Sequence, residues 1–228
     1  MLWNTLLLAL RAIRRNLLRS FLTILGIVIG VAAVITMVTL GNGATRSVSD
    51  QIASMGSNLL LVMPGQRFGP GSEGAQPFKS SDVEAIHSQI SAVDVVAPVV
   101  NKAATAVYQA NNWSTVVTGS SNEYFQAGNW VLAAGRVFNE AEERSGKAVC
   151  VIGETVREKL FGGQNPVGSD IRIKQFACEV IGLLKPKGQS AMGSDQDDTV
   201  VMPLRTVQRR LAGSTDITRL SVAVKAGA

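Results

Sequence analysis

The 228-residue chain has one histidine, two cysteines and only 5% aromatic residues, which removes the parts for several chemistries. His87 has no cysteine near it in sequence, so a zinc cluster or a Ser-His-Asp triad has no basis there. Gly69 to Gly74 spells G-x-G-x-x-G, but Pro77 follows and no helical pattern opens after it. Gly163 to Ser169 approaches a phosphate-binding loop, with Ser169 where lysine is needed. The acidic run Asp195-Gln196-Asp197-Asp198 falls short of the roughly six oxygen ligands of a calcium loop. It reads as a turn whose aspartates cap backbone amides. The chain is therefore read as no enzyme, with no catalytic, cofactor-binding or metal-binding residues and no cofactor.

Acidic residues are absent from positions 1–20, which hold Arg11, Arg14, Arg15 and Arg19, and charge of either sign is absent from positions 21–40. The remaining 18 of 22 Lys+Arg face all 17 Asp+Glu across residues 41–228, a net of +1. The basic pI of 9.5 thus reflects a local cluster and no phosphate-tracking surface, which excludes nucleic acid as a partner.

Phe21 to Leu40 is FLTILGIVIGVAAVITMVTL. Twenty residues at about 1.5 Å each span about 30 Å, the hydrocarbon thickness of a bilayer. A cleaved signal peptide is the competing reading. Its apolar core runs to about 7–15 residues and ends at a small-residue site, which Leu40 to Arg46 does not offer. The basic flank predicts a cytoplasmic N-terminus, with residues 41–228 outside. Before the span, Leu2, Leu6, Leu10, Ile13 and Leu17 recur at helical spacing, as do Arg11, Arg15 and Arg19, which predicts an amphipathic interface helix over 1–20. Within the span, Gly26, Gly30 and Ala33 share a face against which another helix could pack, although glycine is common in membrane helices anyway.

Ala44, Val48, Ile52 and Met55 continue a helical stripe, which predicts a stalk over 41–56 with Gly56 as its stop. Beyond it, strands are expected at 58–62, 93–107, 114–118, 147–152, 170–174, 177–184, 199–202 and 220–224. Short helices are expected near 81–90, 122–125, 154–161 and 204–211. Ser80 or Ser81 would cap the first of these, and Asn111-Asn112 would turn the first hairpin. Mixed strands and short helices joined by hairpins predict an α+β domain over 57–228. Cys150 and Cys178 each fall within a strand, either as buried alanine-like residues or as a pair.

Several blocks carry a resemblance. They are Leu18-Arg19-Ser20-Phe21-Leu22-Thr23-Ile24-Leu25-Gly26-Ile27-Val28-Ile29-Gly30-Val31, Gly41-Asn42-Gly43-Ala44 and Ser57-Asn58-Leu59-Leu60, then Leu160-Phe161-Gly162-Gly163-Gln164-Asn165-Pro166-Val167-Gly168 and Val180-Ile181-Gly182-Leu183-Leu184. The most specific block is Lys187-Gly188-Gln189-Ser190 through Gln196-Asp197-Asp198 to Pro203. In this order the chain resembles the permease of MacB-type ABC transporters.

The resemblance implies a periplasmic domain between the first two of four membrane helices, built of a porter-like lobe and an inserted β-rich lobe at about 120–185. It also implies a homodimer in the bacterial inner membrane, an ATPase subunit in the cytoplasm, and a periplasmic adaptor with an outer-membrane exit duct. The implied work is mechanotransmission: ATP-driven movement carried across the membrane to extrude a substrate. The sequence as written matches the N-terminal half of such a permease, with the ATPase expected on a separate subunit. The alternatives are a single-pass periplasmic sensor or scaffold, and a fragment of a lipoprotein-release permease. On the family reading, Ala44, Val48 and Ile52 contact a second stalk, and Cys150 and Cys178 share the inserted lobe and form a candidate disulfide.

Overall fold

The computed structural model describes Trp3 and residues 14–54, 59–65, 76–190 and 193–225, with side chains left aside at 47–54. Apart from Trp3, the amphipathic stretch before Arg14 lies outside the described residues, as do Met55, Gly56 and the glycine motif at 69–74.

The described residues of the first unit, up to Asp50, fall almost wholly in one helix. Helix α1 runs Leu17–Ser54 without a break, 38 residues or about 57 Å. Its apolar stretch has a mean hydropathy of 2.7 and is exposed throughout, the state of a helix that awaits lipid or other helices. The helix passes through Gly41-Asn42-Gly43, although each glycine costs about 1 kcal/mol of helix propensity. Thr36 and Thr39 return their hydroxyls to Ala32 and Ile35 carbonyls, so their polar groups are met within the helix.

The second unit, Gln51–Ala228, is a mixed α/β domain. Strand β1 is Leu59–Val62, helix α2 is Ser80–Gln89, and the long strand β2 is Val93–Tyr108. Then follow β3 (Asn111–Ser120), α3 (Glu123–Ala127), β4 (Leu132–Gly135), α4 (Glu140–Ser145), β5 (Val149–Ile152) and α5 (Glu154–Phe161). β6 (Asp170–Ile173), β7 (Phe176–Leu184), β8 (Thr199–Pro203), α6 (Leu204–Val207) and β9 (Arg219–Val224) complete the chain, with a wide π turn at Gln208–Ala212 after α6. The strand order is β1-β9-β2-β3-β8-β5-β7-β4, while β6 pairs with both β2 and β7.

That last pairing bends the sheet into a ring: β2, β3, β8, β5, β7, β6 and back to β2. β2 is long enough to serve two partners on one edge. Residues 93–99 pair with β9, and Ala106 and Val107 pair with β6. The ring draws strands from both sides of the 120–185 segment.

The alternation of side chains explains the two cores about the ring. On β5, Cys150 and Ile152 enter one cluster with Val117, Ile171, Ile173, Val180, Val200 and Met202. Val149 and Val151 face the other way, against Phe125, Phe138, Ile181, Leu184 and Val201. Helix α5 adds Val156, Leu160 and Phe161 to the first cluster. All four residues of β5 are buried, so the strand reads as a continuous apolar run. A third cluster, Val93, Val96, Ile217, Leu220 and Val222, lies under Val83 and Ile86 of α2. Fully burying one such aliphatic side chain is worth about 1.5–3 kcal/mol.

Several local expectations need correction. The β2–β3 turn is at Gln109-Ala110, with Gln109 at φ 52°, so Asn111 and Asn112 already belong to β3. Lys79 precedes α2 in place of a serine, because Asp82 in the first turn accepts the Lys79 amide at 2.8 Å. Helix α6 ends at Val207, and its last turn widens to a π turn stopped by Gly213 in the left-handed region.

Candidate functional site: the loop between β7 and β8

The segment from Lys185 to Asp198 contains the block most specific to the resemblance, and here the chain folds into a small hairpin. Gln189 bridges to Asp195, the Gln196 amide donates to the Gly188 carbonyl at 3.1 Å, and the Ser190 amide donates to Ser194 at 2.8 Å. Gly188 and Gly193 both have φ 76°, a turn geometry that glycine adopts without steric cost.

Asp197 organises the base of this hairpin. One carboxylate oxygen accepts the Lys187 amide and the other the Gly188 amide, each at 2.8 Å. The side chain is only 5% exposed, so these charge-assisted bonds replace its hydration. Asp195 accepts the Asp197 amide at 2.9 Å, and its second oxygen accepts the Thr155 hydroxyl of α5 at 2.6 Å. Asp198 accepts the indole N–H of Trp113 on β3 at 2.9 Å. Asp195 and Asp197 thus cap backbone amides, while Asp195 and Asp198 tie the loop to α5 and β3.

Lys187 reaches the opposite side. Its ammonium donates to the Gly128 carbonyl and lies 4.2 Å from the ring centre of Trp130. Burial lowers its pKa to about 8, with the Asp197 carboxylate opposing that shift. The loop is therefore anchored at Trp113, Thr155 and Trp130, while Gln189 and Ser194 stand exposed at its outer end.

Gly153, which sequence reasoning did not single out, completes the site. A Cβ there would lie 2.1 Å from the Asp197 carbonyl oxygen, so the α5 entry can approach the loop only with glycine. The Gly153 amide donates to Thr199 at 2.9 Å, which holds the α5 entry to β8.

A second polar cluster stiffens the neighbouring surface. Glu142 on α4 takes a two-pronged grip from Arg136 at 2.7 and 2.9 Å, accepts the Asn139 amide at 3.0 Å, and lies 3.6 Å from Lys147. Asn139 returns a bond to the Glu142 amide at 2.8 Å, a reciprocal cap that starts a six-residue helix with no apolar stripe. The Arg136 hydrogen bonds hold the Glu142 pKa down at about 2, against an opposing push from burial. Such a lowered carboxyl adds stability above its ordinary pKa of 4.5 and loses it as pH falls toward 2. Because Arg136 is half-exposed, the contribution is about 1–2 kcal/mol. Glu142→Gln should therefore destabilise the chain at pH 7 by that amount and flatten the acid limb of its stability curve. Parallel limbs for the two proteins in denaturant titrations across this pH range would refute the assignment.

The other residues singled out from sequence lie on other elements. Gly26, Gly30 and Ala33 lie at intervals of four and three along α1, exposed, with nothing within 4 Å of a Cβ added at either glycine. Ala44 is also exposed on α1, while the side chains of Val48 and Ile52 lie outside the described residues. Cys150 and Cys178 sit on adjacent strands β5 and β7, both fully buried, with Cα atoms 6.1 Å apart and their sulfurs in contact.

One apolar helix of membrane-spanning length, followed by a mixed α/β domain closed into a strand ring, defines a membrane-anchored core domain. The chain belongs to the MacB-like periplasmic core domain family, whose model matches residues 20–228. It is 40% identical over 214 residues to the macrolide export ATP-binding/permease protein MacB of Syntrophobacter fumaroxidans, covering 91% of this chain and 30% of that protein. It is 38% identical over 219 residues to the protein of the same name from an Azoarcus species, covering 95% and 33%. The chain thus spans about a third of the length of these relatives. Among solved structures, the periplasmic region of MacB from Actinobacillus actinomycetemcomitans superposes with a TM-score of 0.63 at 23% identity, over 78% of this chain and 79% of that one. The extracellular domain of the noncanonic ABC-type transporter YknZ from Gram-positive bacteria gives 0.61 at 21% identity, over 75% and 85%. The two structures share the fold.

Proposed function

We propose that this chain is the first membrane helix and core domain of a MacB-type exporter permease, and that it relays ATP-driven movement from a cytoplasmic ATPase to the periplasm to extrude a substrate. The observation that carries this reading is the uninterrupted helix Leu17–Ser54. With the span at residues 21–40, residues 41–54 of the same helix continue beyond it for about 21 Å as a stiff lever. The basic flank at Arg14, Arg15 and Arg19 supports an N-terminus in the cytoplasm. On this reading Gly26, Gly30 and Ala33 pack against another permease helix, and Ala44, Val48 and Ile52 meet the stalk of a second copy. The division into a porter-like lobe and an inserted lobe near 120–185 belongs to the same proposal. So do the adaptor and exit duct, for which exposed Gln189 and Ser194 of the β7–β8 hairpin offer a polar contact.

The test is made in the complete transporter, reconstituted with its ATPase. A three-glycine insertion after Asn42 should leave ATP hydrolysis within about twofold while extrusion falls by about tenfold or more, because broken helix continuity ends transmission. Gly26→Leu should impair assembly, since its side chain separates packed backbones. Full extrusion with the insertion would refute the lever, and a chain that neither binds nor alters an ATPase would favour a sensor or scaffold. A periplasm-active reporter fused after Ala228 should be active. Activity only for a cytoplasmic reporter would reverse the orientation.

A further inference from the structure

Cys150 on β5 and Cys178 on β7 are both 0% exposed, and their sulfurs are in contact. The cluster they belong to draws on all six strands of the ring. Ala106 of β2, Val117 of β3, Met202 of β8, Ile152 of β5, Val180 of β7 and Ile171 of β6 all enter it. A cluster fed by every strand of a ring is the interior of that ring, so the cysteine pair lies inside. Thiol–disulfide exchange needs a thiolate to reach a sulfur, and its rate depends on that access. Neither the bond nor two free thiols at these positions can meet a reagent while the ring stays closed.

The order of strands along the chain says when the ring closes. β8, Thr199–Pro203, is the last of the six. It fills the place between β3, where Val116 pairs with Thr199, and β5, where Ile152 pairs with Val200. Its Val200 and Met202 are themselves 0% exposed within the cluster that holds the cysteines. Before β8 arrives, β3 and β5 border a gap, and the face of β5 that carries Cys150 opens onto it. The segment that joins the two cysteines, with α5 and β6, precedes β8 in the chain and is complete by then.

We propose that an extracytoplasmic thiol–disulfide oxidant joins Cys150 to Cys178 on the incoming chain, and that β8 then seals the finished bond inside the ring. The inference rests on the extracytoplasmic placement of the core domain in the reading above. One cysteine thiolate attacks the oxidant's disulfide and releases one of its sulfurs as a thiolate. The second cysteine thiolate displaces the other sulfur from the mixed disulfide. The two cysteines lose two protons and two electrons, and the oxidant leaves reduced to two thiols.

The test uses the full chain in detergent micelles, with glutathione disulfide as oxidant and maleimide mass-labelling of acid-quenched samples as readout. Chain unfolded and reduced in guanidinium, then refolded with the oxidant present, should gain the bond. Chain refolded under dithiothreitol and given the oxidant only after folding should gain it at least about a hundredfold more slowly than chain held in guanidinium. Met202→Ala, which loosens β8, should speed oxidation of the folded dithiol about tenfold, while Ile217→Ala in the third cluster should leave it within about twofold. A dithiol chain that cannot fold would support the same order, since the bond then precedes the fold. No bond after refolding with the oxidant, or oxidation of the folded dithiol as fast as that of the unfolded chain, would overturn the proposal. So would equal acceleration by the two variants, which assigns opening to the whole domain. The first two arms need neither a variant nor transport, so their failure is separate from failure of the export reading.

Discussion

Asp197→Ala is expected to lower the stability of the core domain by about 2–4 kcal/mol. The carboxylate is buried and is the acceptor for both the Lys187 and Gly188 amides. Alanine removes two charge-assisted bonds and leaves two part-buried donors without that partner, at about 1–3 kcal/mol per orphaned group. For a domain of this size the melting temperature should fall by roughly 5–15 °C. Asp197→Asn should fall between, because one amide oxygen remains to accept while its NH2 meets a donor. Gly153→Ala should act on the same contact from the other side, because its Cβ forces the Asp197 backbone away. Thermal unfolding of the three variants tests the scheme, and a fall below about 2 °C for Asp197→Ala would show that the hairpin base stands without this carboxylate.

A comparable loss is expected from the cysteine pair. Cys150 and Cys178 lie on hydrogen-bonded neighbours within the strand ring, with a Cα separation of 6.1 Å that falls within the range disulfides use. In an oxidising compartment the two should be bonded. The link would close a segment with a sequence separation of 28, containing α5 and β6, and so constrain the unfolded chain by about 3–4 kcal/mol. Alanine at both positions should lower the unfolding midpoint, and reductant should lower it only in the unsubstituted chain. The alanine pair also removes buried sulfur, so the reductant arm isolates the bond itself. Maleimide labelling of both thiols in unfolded, unreduced protein from the native compartment would exclude the bond.

Both effects depend on contacts that local sequence reading reaches only in part. The acidic run at 195–198 could be read as an amide-capping turn, because aspartates in short polar segments bond to nearby backbone. Its chief partners are different: the Asp197 carboxylate reaches back nine and ten residues to Gly188 and Lys187, and Trp113 and Thr155 come from other elements. β4 and α4 escaped pattern reading for a similar reason. Leu-Ala-Ala-Gly is too short to show a period, and Glu-Ala-Glu-Glu-Arg-Ser has no apolar stripe. Helix α4 starts where Asn139 and Arg136, three and six residues before Glu142, satisfy its carboxylate and amide, a local cap written in polar residues and so invisible to a search for apolar periodicity.

What sequence alone determined is local and periodic. A charge-free run as long as a bilayer is thick has one low-energy solution, a helix that meets its own backbone hydrogen bonds. Alternating and continuous apolar runs marked most strands, and the helix expected near 154–161 is α5, Glu154–Phe161, with Gly162 as its C-cap. Tertiary structure decided how the strands close. β6 bridges β2 and β7, strands that begin 77 and six residues from its start, and that closure turns a sheet into a ring with an inside and an outside. It brings Cys150 beside Cys178, gives β5 its two buried faces, and brings α5 against the β7–β8 hairpin. No residue encodes such closure by itself, because the entropy of joining distant strands is recovered only when many buried contacts form together.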